Sequence, residues 1–172
     1  LFRSVVMNAG AYGGEIKQII KNATVITLDG QIKTLSADEL ELSYRHSCIP
    51  ENNYIVISAV FTLEDGDKAL IKEKMADFRQ RRIDKQPLEY PSAGSTFKRP
   101  EGYFAGKLIM DSNLAGYTVG GAQVSAKHCG FVINKGGATA ADVVKLIGDV
   151  QRIVKDKYNV GLEPEVKMIG EF

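Results

Sequence analysis

Ser95 lies in a segment whose residue types could present its hydroxyl to a ligand. The segment runs from Pro91 to Pro100 (PSAGSTFKRP) and has neither helical nor strand periodicity. Small residues let a backbone approach a ligand closely, and a serine hydroxyl can then hydrogen bond to it. Lys98 and Arg99 follow and could bind a phosphate or a carboxylate. An ordinary turn has a similar composition, so the segment by itself leaves a structural role open.

Arg45, Glu165 and the two histidines are further candidates for chemistry. Arg45 could bind a carboxylate, although most arginines are solvated surface residues, and Glu165 opens an apolar stretch near the end of the chain. His46 and His128 have no cysteine or carboxylate motif spaced as metal ligands around them, so we predict no metal site.

Two familiar catalytic or cofactor motifs are absent from the sequence. Ser95 and His128 could serve a serine hydrolase, but the GxSxG nucleophile motif is missing, because Ser95 lies in AGSTF. The glycine-rich segment 8–15 (NAGAYGGE) is not a dinucleotide fingerprint, because no strand precedes it and no βαβ unit follows.

Composition limits the class of protein. The chain has 172 residues, is 44% hydrophobic and 25% charged, and has a net charge of +1. This balance predicts a globular protein of one large or two small domains and does not favour nucleic acid or a membrane surface as a partner. Nothing approaches the ~20 apolar residues of a membrane span. Cys48 and Cys129 cannot form a disulfide scaffold and indicate a cytoplasmic protein.

The first part of the chain is predicted to be mostly β. Asp29-Gly30 between the segments 23–28 and 31–35 predicts a hairpin, and the β-branched and aromatic residues of 53–63 predict a buried strand. A helix is predicted over 67–83.

That first long helix has an apolar stripe and a heavily charged opposite face. Ile71, Met75 and Phe78 form the stripe at helical spacing, and Pro87 prevents continuation of the helix.

The pattern from about Pro87 onwards is α+β, which predicts a second domain there and an α+β fold for the whole chain. A strand is expected over 130–134 and a last short strand over 165–169. Thr139 and Asp142 form a capping box that opens a helix to Tyr158. Its expected core face is Val143, Ile147, Val150 and Val154.

Five segments together resemble the UDP-N-acetylenolpyruvoylglucosamine reductase family, in the family's order and over nearly the whole chain. They are NAGAYGGE at 8–15, YRHS at 44–47, AGSTFKRP at 93–100, GGAQVSAKHCGFVIN at 120–134 and LEPEVKMIGE at 162–171. The family places an N-terminal flavin-binding domain before the first segment. The resemblance therefore implies a fragment, from the branch of the family without an inserted tyrosine-bearing substrate loop.

The resemblance also implies a division of the chain. Residues 1–86 would be the C-terminal part of the FAD-binding domain and residues 87–160 the substrate-binding domain. Residues 161–172 would be a terminal strand returning to the FAD-binding domain. Because the domain that holds the pyrophosphate would be missing, we expect the chain alone to bind FAD weakly or not at all.

The implied activity is the reduction of UDP-N-acetylglucosamine enolpyruvate to UDP-N-acetylmuramate, in peptidoglycan precursor synthesis. NADPH reduces FAD, and the hydride then goes to the carbon β to the substrate carboxylate. Charge develops on that carboxylate and the α carbon must be protonated. By resemblance, Arg45 and Glu165 stabilise the enol form and Ser95 donates the proton. A serine can do so only beside a strongly basic carbanion or enolate.

Binding roles follow from the same resemblance. Asn8, Gly10 and Tyr12 would line the flavin, and Arg81 or Arg82 would reach its phosphates. The expected substrate-binding residues are Lys85, Lys98, Arg99, Gln123 and His128. For Lys85, Gln123 and His128, a structural or solvated role is an equal alternative. Two other classes stay open: a flavin-free module that binds a nucleotide sugar, and a serine hydrolase that uses Ser95.

Overall fold

Helices and antiparallel sheets alternate along the computed structural model, which describes residues 2–170, so the predicted α+β class is confirmed. The helices are α1 (Phe2–Val6), α2 (Cys48–Glu51), α3 (Lys68–Lys85), α4 (Ala105–Asp111) and α5 (Ala140–Tyr158). The strands are β1 (Gly10–Ala11), β2 (Gly14–Glu15), β3 (Ile20–Ile26), β4 (Ile32–Ser36), β5 (Ile55–Phe61), β6 (Ser92–Ser95), β7 (Thr118–Val119), β8 (Ala122–Val124) and β9 (Phe131–Asn134). A 3₁₀ turn covers Ile16–Gln18.

The chain divides into two compact units, one up to Lys74 and one from Met75. This division falls inside α3, twelve residues before the predicted boundary at residue 86. The predicted domain limits at residues 86 and 160 concern the longer protein and stay a prediction. Residues 171 and 172 of the predicted terminal segment lie outside the described part of the chain.

The first unit contains the predicted hairpin. Strands β4, β3 and β5 form an antiparallel sheet in that order. The turn between β3 and β4 has Gly30 at φ +82°, a left-handed conformation that glycine adopts without the steric cost of a side chain. One face of the sheet is buried against α1 and α2. Its core residues are Val5, Ile20, Ala23, Val25, Leu40, Cys48, Ile49 and Val56.

The opposite face of this sheet is exposed within the unit, which corrects the expectation of a buried strand over 53–63. Ile26 pairs with both Ile32 and Ile55 across the sheet. Ile32 is 70% exposed and Ile55 66% exposed, whereas Val56 is buried. Successive residues of a strand point to opposite faces, so a β-rich composition predicts the strand but not how many of its faces are covered.

The second unit packs α4 and α5 against an antiparallel sheet with the strand order β6-β9-β8-β7. Thr139 is the N-cap of α5 and forms the predicted capping box with Asp142. The expected core face of α5 is confirmed at Ile147, Val150 and Val154, which are buried. Val143 is only partly buried. Leu146, three residues later on α5, is fully buried.

The predicted helix over 67–83 is present as α3, but its apolar stripe is not a core face. Ile71 is 47% exposed and Met75 67% exposed, and α3 has no buried residue within the part of the chain that the structure describes. Charged pairs support the helix instead, such as that between Arg81 and Asp77 at i,i+4. Within residues 2–170, every helix is too short or too polar to cross a membrane.

The predicted last strand over 165–169 is wrong. The terminal segment makes one isolated antiparallel bridge, between Phe97 and Pro164. Lys98 N–H donates to the Glu163 carbonyl at 2.8 Å, and Glu165 N–H donates to the Thr96 carbonyl at 2.8 Å. The Thr96 N–H, which would complete the next pair with Glu165, donates to the Gly130 carbonyl instead, so the bridge does not continue as a strand.

We expect Thr139→Ala to destabilise the second unit by about 1 kcal/mol, because the substitution removes the hydroxyl that caps α5. The Asp142 N–H, which donates to Thr139 Oγ1 at 3.1 Å, would lose its partner. Urea unfolding followed by circular dichroism measures the change. Thr62→Ala, at an exposed threonine outside the helices, is the control, and equal losses in the two variants would contradict the capping role.

Candidate functional site

Ser95 is placed by an irregularity between strands β6 and β9. Ser92 pairs with Ile133 and Ser95 pairs with Phe131, so two residues of β6 lie opposite one residue of β9. Gly94 in this bulge has φ +91°. Bulges redirect the side chains that follow them. Ser95 is exposed, and its hydroxyl donates to the Phe97 carbonyl at 3.4 Å, a long bond that a ligand can replace.

Thr96 holds the chain directly behind Ser95. Its N–H donates to the Gly130 carbonyl at 2.8 Å, and its Oγ1 accepts from the Val132 N–H at 3.0 Å. Thr96 is 2% exposed, so these bonds are shielded from water. The threonine hydroxyl therefore satisfies a backbone donor beside the bulge, and it fixes the position of Ser95 on the sheet.

Glu165 is held against the same residue from the other side. Its N–H donates to the Thr96 carbonyl at 2.8 Å. Glu165 is partly buried, whereas Glu163, two residues earlier, is exposed. The structure thus brings Ser95 and Glu165 to neighbouring positions of one backbone ladder, although they are far apart in the sequence.

His128 lies beside Ser95 through the intervening Gly130. The Gly130 N–H donates to His128 Nδ1 at 3.1 Å. A Cβ at Gly130 would lie 2.9 Å from His128 Cε1 and 3.8 Å from Ser95 Oγ, so glycine permits this close approach. The imidazole packs edge-on against Phe131, with 4.9 Å between the ring centroids. Because Nδ1 accepts a hydrogen bond, the neutral ring carries its proton on Nε2.

The basic residues that follow Ser95 have partners within this unit. The Lys98 ammonium forms an ion pair with the Glu163 carboxylate. The Arg99 guanidinium lies over the Phe104 ring, 3.9 Å from its centroid, which is cation–π geometry. Arg99 itself is exposed. Both cations are therefore held in place near Ser95, and Lys98 is partly neutralised by a glutamate that sequence reasoning did not select.

The other predicted binding residues of this unit lie on separate elements. Gln123 on β8 donates to Thr118 Oγ1 at 2.9 Å, which ties it to the β7–β8 hairpin. Arg81 is engaged by Asp77 on its own helix. Arg82 and Lys85 are exposed on the last turns of α3. Roles for these residues in binding stay predictions.

Arg45 is at the tip of a tight turn in the first unit. Ser43 and His46 exchange backbone hydrogen bonds of 3.3 and 3.2 Å around it. Arg45 has φ +55°, an unfavourable conformation for a side chain of this size. Its guanidinium lies 5.0 Å from the centroid of the Tyr44 ring. The two hydrogen bonds between Ser43 and His46 therefore constrain the backbone that carries the Arg45 guanidinium.

Asn8 joins three segments of this unit and is 1% exposed. Its Nδ2 donates to Glu15 Oε2 and to the Ser43 carbonyl, both at 3.0 Å, and its Oδ1 accepts from the Lys17 N–H at 2.9 Å. These bonds use the donors and the acceptor of the amide. The structure therefore gives Asn8 a supporting role, between the glycine-rich loop and the turn that carries Arg45.

The glycine-rich loop forms the β1–β2 hairpin. A Cβ at Gly10 would lie 2.6 Å from Glu15 Cγ, so only glycine fits there. Tyr12, at the tip, is exposed and has φ +52°.

Glu15 is a charged residue of this loop that sequence reasoning did not single out. The Lys17 ammonium, 3.2 Å from Glu15 Oε2, holds the pKa of Glu15 below its ordinary value, with further contributions from the Asn8 amide and the charge of Arg45. The carboxylate stays ionised beside the loop.

Comparison with known proteins gives one consistent result. Residues 86–169 match the model of the UDP-N-acetylenolpyruvoylglucosamine reductase C-terminal domain. The enzymes of that name from Agathobacter rectalis and Lachnoclostridium phytofermentans are 68% and 66% identical to 98% of the chain. The chain spans about half the length of these relatives, 54% in both.

A solved structure agrees with the sequence relatives. The UDP-N-acetylenolpyruvylglucosamine reductase of Thermus caldophilus superposes with a TM-score of 0.80 over 95% of this chain and 59% of its own, at 34% identity.

We expect Asn8→Ala to destabilise the first unit by about 2–4 kcal/mol, because it removes the three hydrogen bonds of a buried amide and puts alanine at a left-handed φ of +42°. Asn53 is the matched control, since it has φ +52° but is exposed. Asn53→Ala should cost about 1 kcal/mol, the penalty of a left-handed backbone alone. Urea unfolding of both variants measures the difference. Similar losses would show that Asn8 acts only through its backbone conformation.

Proposed function

We infer that this chain belongs to the UDP-N-acetylenolpyruvoylglucosamine reductase family, and we propose that it carries the carboxylate-binding and proton-donating residues for the reaction of that family. The reaction is the NADPH-dependent, FAD-mediated reduction of UDP-N-acetylglucosamine enolpyruvate to UDP-N-acetylmuramate, a step of peptidoglycan precursor synthesis. The observation that carries the proposal is the hydrogen bond from the Glu165 N–H to the Thr96 carbonyl, which brings the backbone of Glu165 next to the residue that follows Ser95.

Ser95 is the proposed proton donor to the α carbon of the substrate. Its hydroxyl is exposed and makes one long hydrogen bond, so it can turn towards a ligand. A hydroxyl is a weak acid and donates only to a strongly basic centre, which the enolate provides. The bulge at Gly94 and the bonds of Thr96 limit the positions that this hydroxyl can take, which favours one direction of protonation.

Glu165 and Arg45 are the proposed stabilisers of the enol form. The guanidinium can bind the substrate carboxylate with two parallel hydrogen bonds, and it loses no energy to reorganisation if it is already oriented. The constrained turn at Arg45 supports such orientation.

His128, Lys98 and Arg99 are the proposed contacts to the remainder of the substrate. With its proton on Nε2, His128 is a donor that suits a sugar or phosphate oxygen. This tautomer is unsuited to the general base of a serine hydrolase, which must accept the serine proton. Arg99 on the Phe104 ring offers a fixed cation. Lys98 can bind an anion if its pairing with Glu163 is exchanged. We assign Lys85 and Gln123 to the same substrate surface by family resemblance alone.

The glycine-rich hairpin is the part of this chain that fits FAD. Residues 11–14 are exposed, and among residues 2–170 no atom beyond the chain neighbours of Gly13 lies within 4 Å of the position of a Cβ there, so a planar ring could approach the backbone. FAD, when bound, supplies the hydride to the carbon β to the substrate carboxylate, after its own reduction by NADPH. Gly10 and Tyr12 would face it, Asn8 would hold the loop, and Arg81 or Arg82 would reach the phosphates.

We also propose the cytoplasm as the site of action. Cys48 and Cys129 are both free thiols in the structure, as expected of a protein in a reducing compartment.

In a full-length enzyme that contains this sequence, Ser95→Ala should leave flavin reduction by NADPH nearly unchanged. Reoxidation by the enolpyruvyl substrate should slow by at least ~10²-fold, the usual effect of losing a positioned acid. Stopped-flow absorbance separates the two half-reactions. Ser92→Ala, on the same strand, is the control. Equal losses in both half-reactions would assign Ser95 a structural role.

Arg45→Ala and Glu165→Gln should differ in their steady-state kinetics. Loss of Arg45 should raise KM and lower kcat, because the guanidinium meets the substrate carboxylate before and during hydride transfer. Glu165→Gln should mainly lower kcat, since stabilisation of the enol is needed only in the transition state. Glu101→Gln, at an exposed glutamate, is the control. A KM effect alone at Glu165 would contradict its assignment.

A further inference from the structure

Glu41, His46 and Glu51 bring three metal-ligating groups together on the first unit. One ligand atom from each residue, a ring nitrogen or a carboxylate oxygen, lies within 4.8 Å of the other two. The three residues are spaced by five along the chain, a spacing that matches neither helical nor strand periodicity. The predicted absence of a metal site rested on such spacing, and the fold brings these groups together through a turn and a short helix.

We propose that Glu41, His46 and Glu51 bind one divalent transition-metal ion, and that zinc is the metal they favour. Zinc is bound by imidazole nitrogen and carboxylate oxygen at about 2.0–2.2 Å, so two ligand atoms of a tetrahedral site lie about 3.4 Å apart. His46 Nδ1 and Glu51 Oε1 are 3.6 Å apart. This pair already has the required separation, and a rotation of the exposed Glu41 side chain brings in the third ligand.

The backbone beneath this cluster is held by hydrogen bonds that a metal would not disturb. Ser43 and His46 bond to each other across the turn, and Cys48 N–H donates to the Leu40 carbonyl at 3.0 Å. Glu51 lies on α2, whose N-cap is the buried Ser47. Ion binding would therefore order only the ends of exposed side chains, which keeps the entropic cost small.

The ligand set selects among metals. Two carboxylates balance the charge of a divalent ion, and an imidazole favours zinc, cobalt or nickel over magnesium and calcium, which prefer oxygen ligands alone. The exposure of Glu41 and Glu51 leaves the remaining coordination positions open to water. A bound ion would link the turn that carries Arg45 to α2, without touching the residues assigned to hydride and proton transfer. The proposal does not rest on the proposed reduction.

Isothermal titration of the metal-free 172-residue chain with zinc chloride tests the site. We expect saturable binding of one equivalent, and at least ~10-fold weaker binding in both Glu51→Gln and His46→Gln, because each removes a ligand. Glu64→Gln, at an exposed glutamate outside the cluster, should bind zinc as the unchanged chain does. Magnesium should bind far more weakly than zinc. Circular dichroism of each variant checks that the fold is retained.

Cobalt(II) absorption gives a second measurement on the same samples. Cobalt in a site of nitrogen and oxygen ligands shows weak visible bands, whereas a thiolate ligand such as Cys48 adds an intense near-ultraviolet charge-transfer band. Three results would overturn the proposal. The first is the absence of saturable zinc binding at millimolar concentration. The second is a folded Glu51→Gln or His46→Gln variant that keeps full zinc affinity. The third is a thiolate charge-transfer band in the cobalt spectrum.

Discussion

The proposed site depends on the hydrogen bonds that the backbone and the hydroxyl of Thr96 form. Three hydrogen bonds from this one buried residue reach Gly130, Val132 and Glu165. They join strand β6, strand β9 and the terminal segment at the point where Ser95 emerges. A buried, fully hydrogen-bonded position of this kind has one geometry, because any alternative leaves polar groups unpaired in a dry environment. The Ser95 hydroxyl, the proposed proton donor, is exposed, and its position is determined by the buried residue beside it.

In the first unit, Asn8 joins separate segments by hydrogen bonds, as Thr96 does in the second. Its amide connects the glycine-rich loop, the residues after β2 and the turn that presents Arg45. In both units, a proposed functional group thus lies on a segment that a buried neighbour with a short polar side chain holds in place. Such supporting residues resemble ligand-binding residues in a sequence, since both kinds are polar and lie in loops. Asn8 is an example, because it is buried and its amide is fully hydrogen bonded, whereas its predicted place beside the flavin stays a prediction.

The parts of the fold that were predicted from sequence are those determined by local interactions. The hairpin at Asp29-Gly30 and the capped helix α5 depend on neighbours within a few residues, and both are present. Burial was predicted less well, at Ile55 and at Met75, because it depends on which other surfaces cover a face. The strand expected over 165–169 failed because the Thr96 N–H that would extend its single bridge donates to Gly130 instead. Ser95 and Glu165 were paired by family resemblance, and no periodicity would have revealed their proximity or that of His46 to Glu51.

Tyr12 and Arg45 both hold left-handed backbone conformations, at φ +52° and +55°, without being glycine or asparagine. Glycine at either position would relieve steric strain, so selection for stability alone favours its appearance there. Retention of a large side chain against that tendency requires selection for the side chain itself. The two positions therefore act as an evolutionary indicator. In a copy that must still fold, glycine or asparagine at Tyr12 or Arg45 marks the loss of any need for the side chain at that position.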